Sequence, residues 1–195
     1  MTKNELLQTQ KESLHEILKQ DTALYQIIQM VSTMAIPELY VGAGCIVQSV
    51  WNRLYGMPIG YGISDVDIVY FDEDLSEGKE LETSKKIAGE IESSNYSLDI
   101  INEARVHLWY EERFGFPIQA YGSSEEAIST WPTTATAIGV SLNENGQLQV
   151  FSPYGLDDLF EGIVRPNKKM ITKEIYDQKV AKWKKKWPDL NVIPW

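Results

Sequence analysis

The stretch ISDVDIVYFDED, residues 63–74, constrains this chain most. It alternates with period two, so Asp65, Asp67 and Val69 share one face of a strand while Val66, Ile68 and Tyr70 take the other. The second set is an apolar row suited to a core. The first sets two carboxylates side by side at the entrance to that core, where a buried charge is costly unless it is neutralised. A divalent cation would remove both the burial cost and the mutual repulsion, because hard oxygen ligands on adjacent same-side positions suit Mg²⁺. A turn cap at Asp65 next to Ser64, with a lysine partner for Asp67, would also do so. D-x-D alone leaves both readings open.

The surroundings favour the cation. Upstream, VGAGCI reads as a short strand ending in glycines that runs straight into a helix. Gly42, Ala43 and Gly44 there would let backbone N–H groups approach a ligand, and a helix N-terminus favours phosphate. Downstream, LDI holds Asp99 between apolar residues, again an acid inside a strand. A glycine turn, a pair of acids and a third acid on a neighbouring strand make a two-metal phosphoryl-transfer arrangement. It requires the strands near 38–42, 66–71 and 97–101 to be neighbours in one sheet.

Leu24, Ile27, Ile28, Val31 and Met34 recur at helical spacing behind a candidate N-cap, Asp21. Leu14, Ile17 and Leu18 predict a helix before it. CIVQSVWNRLYG reads as a helix stopped by Gly56, residues 77–94 as a polar helix, YSLDIIN as a strand, and VHLWYEERFG as a helix. SSEEAISTW reads as a helix with a Ser123/Glu126 capping box. ATAIGVSLNENGQLQVFSP predicts a hairpin turning at Asn145-Gly146, and GLDDLFEG a short helix with Asp157 and Asp158 at its positive end. Residues 172–187 form a last helix, with Tyr176, Val180, Trp183 and Trp187 as its apolar stripe. The pattern is α+β, a mixed sheet with helices packed on it. It is expected as one domain over 1–195, with N-terminal helices in 1–36 and a basic C-terminal segment in 166–195.

Charge and cysteine count exclude several classes. The net charge is −10, but residues 165–187 carry +7 and the remainder −17. An acidic body disfavours nucleic acid and anionic membrane as partners. The tail lysines read as a solvated face, with collection of a polyanion such as RNA as the rival reading. No apolar run spans a bilayer, the first sixteen residues lack the apolar segment of a signal peptide, and the one cysteine, Cys45, forms no internal disulfide. The cytoplasm is the expected compartment, and Cys45 is expected to pack as a small apolar residue.

The order of these elements resembles the nucleotidyltransferase fold of the polymerase-beta superfamily, and more narrowly a bacterial nucleotidyltransferase-like family. The pieces that carry the resemblance are GAGCIVQSVWNRLYG, DVDIVYFD, NEARVHLWY, AISTWPTTATAIGVSL and SPYGLDDLFEGIVRP. It runs from about residue 20 to the C-terminus. It implies a nucleotidyltransferase-type mixed sheet, with Asp65, Asp67 and Asp99 as catalytic and metal-site positions for Mg²⁺ or Mn²⁺. An NTP would be the donor, and the acceptor is a small molecule, a protein or an RNA end. The chain departs from the pattern at Val47, where related members carry an arginine, and in its long gap from Gly44 to Asp65. A catalytically degenerate nucleotide-binding or protein-interaction module, of the toxin–antitoxin kind, is the alternative.

Among the remaining candidates, Arg105 would grip a phosphate bidentately, or pair with Glu103 or an aspartate. His107 reads as a satisfied, partly buried histidine, with proton shuttling as the other reading. Ser64 is a candidate nucleotide contact, as are Thr133, Thr134 and Thr136 beside Trp131, whose indole would stack on a base. Trp-Pro ahead of β-branched residues is also an ordinary strand entrance.

Overall fold

The computed structural model describes residues 2–91 and 95–195. Two helices open the chain, α1 (Lys3–Gln20) and α2 (Thr22–Ser32). Thr2 and Glu5 form a reciprocal capping box on α1, and the Asp21 carboxylate accepts the Leu24 N–H at 3.0 Å to start α2. Leu14 and Leu18 of α1, and Leu24, Ile27, Ile28 and Val31 of α2, are buried in the main core. Those are the residues that the helical spacing selects.

Strands β1 (Tyr40–Gly42), β2 (Asp65–Tyr70), β3 (Ser97–Asn102), β4 (Gly139–Leu142) and β5 (Leu148–Phe151) make one sheet in the order β3-β2-β1-β4-β5. β2 and β3 run parallel, and the other pairs are antiparallel. The register is what matters for function. Gly42 lies opposite Asp67 on one side and Gly139 on the other, and Asp67 lies opposite Asp99. One row across the sheet therefore reads Gly139, Gly42, Asp67, Asp99. The three strands that needed to be neighbours are neighbours.

Helix α3 (Gly44–Leu54) starts directly off β1 and buries Cys45, Ile46, Val47, Val50 and Trp51. Gly56, with φ of +66°, lies just beyond its end. Helix α4 (Glu77–Glu90) packs on β3; it covers the first part of the expected 77–94 helix, of which 92–94 lie outside the described residues. A 3-10 turn (Glu103–Arg105) leads from β3 into α5 (Val106–Phe114), followed by α6 (Ser124–Ile128) and α7 (Asp157–Phe160). The box at α6 is half formed. Ser123 caps the Glu126 N–H, while the Glu126 carboxylate turns to the Gly122 N–H at 2.7 Å. The β4–β5 hairpin turns through residues 143–147, not through a two-residue turn at Asn145-Gly146. The Asn143 carboxamide oxygen accepts from Asn145 and Gln147 N–H, which widens the loop.

Strands β6 (Ile163–Val164) and β7 (Asn191–Val192) form a small parallel pair, with α8 (Lys173–Lys186) between them in sequence. Tyr176 of α8 sets its hydroxyl within hydrogen-bond reach of the Val164 and Ile193 carbonyls, at 2.9 and 2.6 Å. At the other end, the Trp187 indole N–H donates to Asn52 Oδ1 at 3.0 Å and its ring meets the edge of Trp51. The tail is thus bolted to α3, as the apolar stripe predicts. Its lysines are not a uniformly solvated face. Lys186 bonds the Gly62 carbonyl, Lys184 bonds the carbonyls of Pro188 and Leu190, and Lys179 and Lys182 turn toward the sheet.

Candidate active site

A cleft of about 340 Å³ opens on the face of β2 that carries Asp65, Asp67 and Val69. Its floor is those three residues with Ala43, Gly44 and Gln48 from the start of α3. Glu103 and Trp131 form part of one wall, and Lys179, Lys182 and Trp183 from α8 form another. Period two in β2 accounts for the division, since Val66, Ile68 and Tyr70 are all but fully buried on the opposite face.

Asp67 sits deepest. Its carboxyl is pushed up to about 7, first by burial and then by the neighbouring charges of Asp65 and Asp99. The Gly44 N–H donates to it and Lys179 attracts it, both pulling the other way. Glu103 is pushed up further, to about 8, by burial and then by Asp67 and Asp99. Lys179 is held below the usual lysine range, first by burial, though Asp67 and Asp65 oppose that shift. Asp99 lies exposed at the sheet edge in register with Asp67, and Ser64 Oγ donates to Asp65. Acids gathered on one face and lysines reaching over them are what a cleft for a cation-bound polyphosphate needs.

The turn between β1 and α3 is unusual. A Cβ on Gly42 would lie 2.5 Å from the Ile138 carbonyl oxygen and 2.8 Å from the Trp131 ring, so only glycine lets that indole lie on the sheet. Ala43 adopts φ 54° and ψ −129°, a conformation that L-residues pay to hold. It aims the first N–H groups of α3 toward Asp67. Cys45 is buried behind the turn with its thiol pushed well up by burial, an inert packing residue as expected.

Several expected contacts are not brought here. The Arg105 guanidinium pairs with Glu80 of α4 and donates from Nε to the Leu75 carbonyl at 2.9 Å, and it is not part of the cleft lining. Thr133 is fully buried, bonded to Thr136, and Thr134 donates to Asp158, which also holds Arg165. Of the three threonines expected there, Thr136 does line the cleft, together with Trp131. The His107 ring nitrogen Nδ1 is buried and has no hydrogen-bond partner among the described residues, and His107 is not part of the cleft lining. Val47 is fully buried in the core, and the cations of this site come from the tail. Glu103, Lys179 and Lys182 are the residues that sequence reasoning missed. The signal for Lys179 was available, since it lies three residues after Tyr176 and four before Trp183, on the docked side of its helix.

Among the described residues no three His, Cys, Asp or Glu side chains are grouped tightly enough to cage a metal ion, and no helix is long and apolar enough to cross a membrane. The carboxylates still fit Mg²⁺, which keeps several waters and is bound through one or two carboxylates plus substrate phosphates. The raised Asp67 carboxyl shows that added positive charge beside it would be stabilising.

No curated protein matches this chain. A solved structure, described as an NMR structure that reveals a CCA-adding enzyme head domain, superposes with a TM-score of 0.74 at 25% identity. The match covers 93% of this chain and 96% of that one. Its mixed α+β fold is the one described above. A profile of the nucleotidyltransferase family matches residues 29–192, which takes in the α3 turn, all three aspartates and the lysines of α8, and so the chain belongs to the nucleotidyltransferase family.

Proposed function

We propose that this protein transfers a nucleoside monophosphate from an NTP to a hydroxyl-bearing acceptor, with the polymerase-beta type of site built on Asp65, Asp67 and Asp99. The observation that carries the reading is the register of β2 on β3. It sets Asp67, on the cleft floor with Lys179 and Lys182 across from it, beside Asp99, which lies just outside the cleft lining at the sheet edge. In this reading Lys179 and Lys182 receive the triphosphate, doing the work of the arginine that Val47 replaces. Asp65 and Asp67 hold Mg²⁺ or Mn²⁺, which supplies neutralisation of charge developing on the phosphates. Asp99, at the open edge of the sheet, takes the proton of the attacking hydroxyl. The acceptor oxygen bonds the α-phosphorus, the bond to pyrophosphate breaks, and pyrophosphate leaves past the lysines. Residues 1–195 act as one unit, because the donor site uses both the first strand and the last long helix. The cytoplasm, where NTPs are abundant, is the matching compartment.

A second reading has one observation in its favour, the lack of a tight three-ligand group among the described residues. In it the cleft holds nucleotide without turnover. Pyrophosphate release from ATP, CTP, GTP and UTP with Mg²⁺ and a cell extract decides between the two. Transfer predicts release that falls at least 100-fold in Asp67→Asn and a labelled acceptor in one extract fraction. Binding without release would establish the second reading. Mg²⁺ should also raise the melting temperature of the wild type and leave Asp67→Asn unmoved, since an ion that binds only the native state stabilises it by mass action.

A further inference from the structure

A second cavity of about 310 Å³ adjoins the cleft and shares Ile101, Glu103, Phe114, Trp131, Pro132 and Lys179 with it. Its remaining wall is made of Val106, Trp109, Tyr110 and Arg113 of α5, with Tyr121, Thr130, Met170, Ile171 and Ile175. Trp109, Tyr110, Phe114, Tyr121 and Trp131 do not belong to the main core or to the partly buried residues packed against it. So many large rings collected beside an active-site cleft, but outside the core, need a reason other than core packing.

The two tyrosine hydroxyls are already in use. The Tyr110 hydroxyl donates to the Met170 carbonyl at 3.1 Å, and the Tyr121 hydroxyl is bonded to Thr130 Oγ1 at 2.9 Å. Tyr110 also packs on Phe114 with ring centroids 4.5 Å apart, and the Arg113 guanidinium lies over the Trp109 and Phe114 rings at 5.8 and 5.5 Å. The cavity therefore offers ring faces and aliphatic groups, with few free hydrogen-bonding groups. Of its two cations, Arg113 lies over ring faces and Lys179 stands at the junction with the cleft, so the body of the cavity suits an apolar ring better than a triphosphate. The polar groups at the junction are Glu103, which is buried, and Lys179, and both are common to the two cavities.

We propose that this cavity is the acceptor subsite and takes a small molecule with an aromatic body and a hydroxyl arm, the hydroxyl being held by Glu103 at the junction with the donor cleft. The proposal rests on the nucleotidyl-transfer reading of that cleft. Burial, and after it the Asp67 and Asp99 charges, push the Glu103 carboxyl up, so its protonated form is a hydrogen-bond donor open to the acceptor oxygen and the proton transfer is left to Asp99. Glu103 is thus a positioning residue. The reaction stays balanced as written above: the acceptor O–H becomes an O–P bond, and pyrophosphate is released.

The test uses the full-length protein and a panel of aromatic alcohols, namely tryptophol, tyrosol and 2-naphthalenemethanol, followed by saturation-transfer NMR and calorimetry. The variants are Ile175→Phe, which fills the cavity, and Thr130→Val, a milder change of its wall, each checked for an unchanged far-UV spectrum and melting curve. Panel binding by the wild type is expected, weakened at least tenfold in Ile175→Phe, with MgATP affinity changed less than twofold. Glu103→Gln should keep tryptophol affinity within threefold, because an amide still donates, while Glu103→Ala should weaken it tenfold. Loss of MgATP affinity in Ile175→Phe would overturn the proposal by assigning the cavity to the nucleotide base. Failure of every panel member to bind, or binding indifferent to Ile175→Phe and Thr130→Val, would overturn it as well. Should the panel bind as expected while no pyrophosphate is released from any NTP, the transfer reading fails and the cavity survives as a binding site.

Discussion

The two faces of β2 obey opposite rules. Val66, Ile68 and Tyr70 are closed off against α3 and the N-terminal helices, where each side chain lowers the free energy by leaving water. Asp65, Asp67 and Val69, one residue out of phase, face a cleft in which acids crowd together and raise it. Six consecutive residues thus hold a stabilising face and a destabilised one. The destabilised face is the one proposed to do the chemistry, and stability yielded there suits a site that added charge would complete.

The strongest way to break that contrast is on the dry side. Trp187 is fully buried, its indole N–H is paired with Asn52, and it closes the tail on α3. Trp187→Ala should cost about 3–5 kcal/mol in chemical denaturation, from the lost aromatic volume and the unpaired Asn52 oxygen. A cost below about 1 kcal/mol would show that the tail is not part of the same cooperative unit. Trp183 is the weaker choice, being partly buried and shared with the cleft.

The opposite sign is expected one strand away. Folded, the Asp67 carboxyl keeps its proton up to about pH 7, whereas unfolded it releases it near pH 4. Metal-free protein should therefore be most stable below about pH 4 on this account, lose stability steadily as the pH rises from 4 through 7, and level off above 8. Glu103, raised to about 8, adds to the same slope. Asp67→Asn should stabilise the metal-free protein at pH 8 by on the order of 2 kcal/mol and flatten the profile. Mg²⁺ competes with that proton, so its stabilising effect should be larger at pH 8.5 than at pH 6. A profile identical in wild type and Asp67→Asn would show that the carboxyl is not crowded.

The smallest effect lies at the turn between the two faces. Ala43 holds a backbone conformation that glycine takes freely, so Ala43→Gly should gain about 1 kcal/mol in thermal unfolding, the relieved strain less the added chain entropy of glycine. If the strain serves the site, the same change should loosen MgATP binding even as it stabilises the fold. Tighter binding would mean that the alanine is tolerated there and not used.

Most of the fold was legible in local patterns. The period of two in β2, the helical spacing of α2 and α8 and the caps at Asp21 and Ser123 are short-range signals, and each element formed within a few residues of its expected bounds. The glycine turn and the alternating acids carried the floor of the cleft in the same way. The hairpin turn was misplaced because Asn143, two residues ahead of Asn145-Gly146, captures the backbone N–H groups first.

What the sequence by itself determined is which residues are acidic, which alternate, and which face of each element is apolar, since these follow from neighbours a few positions apart. Only the tertiary structure decided where Arg105, Lys179 and Glu103 would point. Arg105 is nearer to Asp99 in sequence than Lys179 is, yet it turns to Glu80 of α4, while a lysine eighty residues beyond Asp99 reaches Asp67. Charge attracts through space and not along the chain, so the partners of an acid are set by the docking of whole helices. Here that docking is driven by Tyr176 and Trp187, which carry no charge at all.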